Sequence, residues 1–116
     1  MTVGFHPLAR TELTEAGQFY EGRAPGLGAR FLDATERAIQ LLQGHPDLGT
    51  PLSVTIRSVT VPQFPYAVVY RVDADRLFVV AVAIFGADPS IGRAGSGERR
   101  HNKELKPTKA LRAFAA

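Results

Sequence analysis

Hydrophobic and polar positions recur at helical spacing in the first half of the chain and at strand spacing in the second. Residues 54–61, 66–72 and 77–84 are rich in β-branched and aromatic side chains. Asp73-Ala74-Asp75, between the last two runs, is a polar break of hairpin length. The pattern predicts three consecutive antiparallel strands, a meander, with Gln63-Phe64-Pro65-Tyr66 at its centre. Pro65 fits a strand's first residue, where no ladder donor is needed. In the second strand Tyr66, Val68, Tyr70 and Val72 share one face, and Ala67, Val69 and Arg71 the other. The third, Leu77 to Ile84, is apolar on both faces and requires cover on both.

Upstream, Leu8, Ala9, Leu13, Ala16, Phe19 and Tyr20 predict a helix from Pro7 to about Gly22, with His6 as a partner at its start. Leu27, Phe31, Ala34, Ala38, Leu41 and Leu42 predict a second from about Leu27 to Gln43, stopped by Gly44-His45-Pro46. Pro25-Gly26-Leu27-Gly28 is short enough to make the pair a helical hairpin. Thr2 to Phe5 reads as an edge strand, and residues 47–51 as a loop into the sheet.

The fold class is therefore α+β: an N-terminal strand, a two-helix hairpin, then an antiparallel three-strand meander, with both helices on one sheet face. Leu13, Phe31, Leu41, Val68, Val79 and Ala81 are the expected core. Val69, Phe78, Val80 and Val82 are assigned to the face the helices do not reach. A partner chain is the simplest cover for that face, with a homodimer as its substitute and self-association expected of the isolated protein. Residues 1–88 form the domain, and residues 89–116 a basic, partly ordered extension.

Composition narrows the chemistry. Among 116 residues there is no cysteine, which removes disulfides, thiolate metal sites and cysteine nucleophiles. The three histidines are scattered, so no metal or cofactor site is assigned. No apolar run reaches the roughly 18 residues of a membrane span, and residues 1–7 lack a signal-peptide pattern. A cytoplasmic, membrane-free protein is expected. The G-x-G at Gly26–Gly28 joins helix to helix, whereas a phosphate cradle needs a strand leading into a helix. Net charge is +3, with much of the excess after Arg93. Arg57, Arg71 and Arg76 are candidates for binding phosphate or a partner; pairing with Asp73, Asp75 or helix carboxylates is the alternative. No residue is assigned a catalytic role.

A resemblance rests on an ordered set of short segments. These are Phe5-His6-Pro7, Phe19-Tyr20-Glu21, Pro25-Gly26-Leu27-Gly28, Arg30-Phe31-Leu32-Asp33, His45-Pro46, Gly49, Arg57, Phe64-Pro65-Tyr66, Val69-Tyr70-Arg71-Val72 and Val80-Ala81-Val82-Ala83. Together they resemble the RelE/ParE toxin superfamily, in its ParE-like plasmid-stabilisation branch, over residues 3–85. The resemblance implies a type II toxin neutralised by a cognate antitoxin.

It also implies one of two activities. ParE-like members poison DNA gyrase without chemistry of their own. RelE-like members cleave messenger RNA on the ribosome. RelE-like enzymes usually carry an arginine after the tyrosine that opens the second meander strand, where this chain has Ala67. They also carry a basic residue past the last strand and a tyrosine beyond it. Here Gly86-Ala87-Asp88 stands in the first place, and no tyrosine follows Tyr70. The ParE-like reading leads, with a ribosome-dependent endoribonuclease using Arg57, Arg71 and Arg76 as the alternative. Residues 90–116 match neither ending, which adds a third reading: a degenerate toxin that keeps only antitoxin binding.

Overall fold

A computed structural model describes residues 1–85 and Ala110. The elements are β1 (Thr2–Phe5), α1 (Pro7–Arg23), α2 (Leu27–Gly44), β2 (Thr50–Pro51), β3 (Arg57–Thr60), β4 (Tyr66–Asp73) and β5 (Arg76–Ile84), with a 3₁₀ turn at Pro46–Leu48. The five strands form one sheet in the order β1-β5-β4-β3-β2. All pairings are antiparallel except that of β1 with β5, which is parallel. The expected strand–hairpin–meander order is present.

Local chemistry sets the helix ends. His6 has extended backbone, and its Nδ1 accepts the Leu8 amide at 3.1 Å, capping α1 one residue before Pro7. Gly26 takes φ 84° between the helices, in the left-handed region where glycine is at ease. The Glu21 carboxylate then accepts the Gly26 and Gly28 amides, each at 2.9 Å, and so caps α2 from α1. The helices touch at Gly17 and Gly28. A Cβ on Gly28 would collide with the Gly17 carbonyl, so the crossing depends on that missing carbon.

The main core lies between the hairpin and the sheet. It contains Phe31, Leu42, Val61, Val68, Tyr70, Leu77, Val79 and Val82, with Leu13 partly buried against it. Rings from three elements meet there: Phe31 lies 5.1 Å from both Phe64 and Tyr66, and Tyr20 lies 4.9 Å from Phe64. Such pairs add about 0.5–1.5 kcal/mol each beyond area burial. The segment at the meander's centre is thus held by aromatic contacts with both helices.

Two expectations need correction. Leu41 is half exposed, because α2 buries Phe31, Thr35, Ala38, Ile39 and Leu42; Leu41 sits about 100° round the helix from Leu42. The first meander strand pairs only from Arg57 to Thr60. The amides of Leu52 and Ser53 both turn back to the Ile56 carbonyl, at 2.7 and 3.2 Å, which leaves Val54 fully exposed. Ala81 is buried as expected, on the opposite sheet face from the helices. The expected partly ordered extension over 89–116 lies outside the described residues, apart from Ala110.

Candidate functional site

The seven residues singled out from the sequence all lie on β3, β4 and β5, but the structure gives them different work. Arg57 opens β3 opposite Tyr70 of β4. Its Nη1 donates to the carbonyls of Asp47 at 3.2 Å and Gly49 at 2.7 Å. The Tyr70 hydroxyl accepts the Gly49 amide at 3.0 Å and donates to the Pro46 carbonyl at 2.8 Å. Together these two side chains hold residues 46–49 against the sheet. Arg57 is in this respect a loop anchor.

Arg71 and Arg76 converge on Phe78, their guanidinium carbons 5.2 and 5.7 Å from its ring centroid. Arg71 Nε also lies 3.1 Å from the Asp73 carboxylate. Arg76 passes over Gly4 of β1, where any Cβ would meet its guanidinium. Arg57 and Arg71 share a shallow cleft of about 250 Å³ with Val54, Tyr70, Val72 and Asp73. The alternation had suggested one face for Arg57 and Arg71, but Arg57 pairs with Tyr70 and so lies on the helix side of the sheet, while Arg71 lies with Phe78 on the other. The pairing of Arg71 with Asp73 is the alternative the sequence offered, whereas the engagement of Arg57 with backbone carbonyls had no local signal.

Of the apolar candidates, Val69 and Val80 are fully buried on the face away from the helices. They cluster there with Ile56, Ala81 and Ala110, flanked by Leu8 and Phe78. Ala110 belongs to the same chain, so the protein itself contributes to covering the face for which a partner was expected. Val82 is not on that face; it lies in the helix-side core.

A bulge is the cause. Tyr70 pairs with Val79 but Val69 pairs with Ala81, leaving Val80 as a surplus residue in β5. One extra residue reverses the strand's phase. Leu77, Val79 and Val82 therefore share the helix side, while Phe78, Val80 and Ala81 share the other.

Sequence reasoning missed Glu12. This α1 carboxylate accepts the Val82 amide through Oε1 at 3.0 Å and the Ala110 amide through Oε2 at 3.3 Å. It borders a groove of about 470 Å³ between α1 and the end of β5, with Leu8, Phe19, Tyr66 and Ile84 among the lining residues. Burial, and secondarily the Glu12 charge, pushes the Tyr66 phenol above its ordinary value of 10.0. The residue after it, Ala67, is buried. Among the described residues no three His, Cys, Asp or Glu side chains are grouped to hold a metal ion, and no helix is long and apolar enough to cross a membrane.

A family profile described as the ParE toxin of the type II toxin–antitoxin system parDE matches residues 3–88. The chain belongs to the ParE toxin family. A solved structure titled as the chromosomal ParDE toxin–antitoxin system from P. aeruginosa is similar in fold, with a TM-score of 0.62. That likeness covers 71% of this chain and 92% of the other at 15% sequence identity. A search of curated protein sequences found no match. Among the described elements, the ParE match runs from the second residue of β1 through β5; Ala110, on the second sheet face, lies beyond it.

Proposed function

We propose that this type II toxin acts by binding rather than by chemistry, as an inhibitor of DNA gyrase neutralised by a cognate antitoxin in a plasmid-stabilisation role. The observation that carries this reading is the use of Arg57. Its Nη1 donates to the Asp47 and Gly49 carbonyls, which ties the guanidinium to the 46–49 loop. A group that must hold a scissile phosphate and stabilise its developing charge is better left facing the substrate. The buried Ala67, at the place where RelE-like enzymes carry an arginine, agrees with a protein that does not cleave RNA.

The test is expression of the full chain without its antitoxin, scoring growth, plasmid supercoiling and messenger RNA integrity together. Growth arrest with lost gyrase supercoiling and intact messenger RNA is expected. Ribosome-dependent cleavage would instead support the endoribonuclease reading, for which the shared cleft of Arg57 and Arg71 is the relevant surface. Normal growth of a chain that still binds antitoxin would leave only the degenerate-toxin reading.

A further inference from the structure

Glu12 links three parts of the chain that are far apart in sequence. Its partners Val82 and Ala110 are 70 and 98 positions away. The Val82 amide has a particular need for an acceptor. β1 accompanies β5 only as far as Val79, where the His6 amide meets the Val79 carbonyl and the chain turns into α1. Past that point Glu12, not a strand, receives the Val82 amide.

The other oxygen of the same carboxylate fixes Ala110. That residue is 1% exposed and sits among Ile56, Val69, Val80 and Ala81. We infer that Glu12 is a clasp which seats Ala110 as the chain's own cover for the second sheet face, and that the closed clasp keeps this face from pairing with a second copy of the protein.

Both residue types suit the task. A carboxylate offers an acceptor on each oxygen, so two amides can be held at once; a glutamine would turn an NH₂ donor toward one of them. Alanine places a single methyl group against a close-packed cluster, where a charged side chain would be buried without a partner. If Ala110 lifts, Val69, Val80 and Ile56 form an apolar patch of the kind that drives association. The inference does not depend on the gyrase reading, because it concerns the oligomeric state of the purified toxin alone.

The experiment is amide exchange on the full-length chain, together with light scattering on the full chain and on Glu12→Gln, Ala110→Asp and Glu15→Gln. Circular dichroism checks folding. In the unmodified chain the Val82 and Ala110 amides should both be protected and the scattering mass should be that of one copy. Glu12→Gln and Ala110→Asp should lose protection at Ala110 and shift the mass toward two copies or more. Glu15→Gln, at the neighbouring groove carboxylate, should change neither. An Ala110 amide that exchanges in the unmodified chain as fast as in an unstructured peptide overturns the inference, whether or not the variants fold. So does a single-copy mass with unchanged protection in both clasp variants.

Discussion

The Gly49 amide donates to the Tyr70 phenol oxygen across 3.0 Å, and this contact fixes where the chain leaves the helices and enters the sheet. The approach is so close that a Cβ on Gly49 would strike the Tyr70 ring and the Ser58 carbonyl. Tyr70→Phe keeps the ring but leaves the Gly49 amide and the Pro46 carbonyl without their partner. A loss of about 1–3 kcal/mol is expected for such buried groups. Denaturant unfolding of the two proteins checks it; an unchanged midpoint would show that water replaces the hydroxyl at no cost.

Burial raises the pKa of all three tyrosines, Tyr20, Tyr66 and Tyr70, above 10.0. Between the unfolded and folded values the folded chain binds more protons than the unfolded one. The contribution to stability is therefore complete below pH 10 and is lost as pH rises through the folded values. Thermal unfolding from neutral to strongly alkaline pH should show stability falling above about pH 10. A phenolate absorbance that grew in before any unfolding would contradict it.

The Gly17–Gly28 crossing gives a sharper steric test. Gly28→Ala adds a carbon that meets backbone rather than a movable side-chain end. Helix propensity alone would favour alanine by about 1 kcal/mol. Overpacking of this kind costs about 1–3 kcal/mol and should outweigh it. Gly22, with open space around it, is the control: Gly22→Ala should hold or raise the melting temperature while Gly28→Ala lowers it.

At the acid end the group to follow is Glu21. The Gly26 and Gly28 amides hold its carboxyl below the ordinary value of 4.5. Its contribution is thus present above pH 4.5 and is lost as pH falls through the folded value. Glu21→Gln should flatten the acid side of the stability profile, and two superimposable profiles would remove Glu21 from the account.

For the arginines, the double variant Arg57→Ala with Arg71→Ala separates the two activity readings. It should weaken antitoxin binding more than it changes any nuclease activity. Titration of the antitoxin and a ribosome-dependent cleavage assay measure the two effects. Lost cleavage with antitoxin binding intact would favour the ribonuclease.

Much of the fold was legible because its signals are local. Helical spacing, the His6-Pro7 start, the Gly26 connection and the two-residue turn after Asp73 each act over a few residues. The bulge at Val80 was hidden for the opposite reason. Val79-Val80-Ala81-Val82-Ala83 contains no polar residue, so nothing in it marks where the alternation breaks, and Val82 was read on the wrong face. Of the candidate site, the placing of Arg57 and Arg71 on neighbouring strands could be read from strand phase. Asp73 was among the partners the sequence offered for Arg71; the Asp47 and Gly49 carbonyls that hold Arg57 were not, since backbone carbonyls carry no sequence signature. Glu12 was missed because its amides lie 70 and 98 residues away.

The parallel pairing of β1 with β5 has a further consequence during synthesis. β1 is the first strand translated, yet its ladder partners are Arg76 to Val79. The hairpin of α1 and α2 can form from neighbouring sequence while the ribosome is still extending the chain. The sheet cannot, because β5 lies between β1 and β4 and is the last of the five strands to emerge. At roughly 5–20 residues per second, the nascent N-terminus waits several seconds with an unmatched edge. A nascent chain that ends before Arg76 therefore carries β1 with its ladder edge unmatched, and the sheet can close only when β5 arrives between β1 and β4.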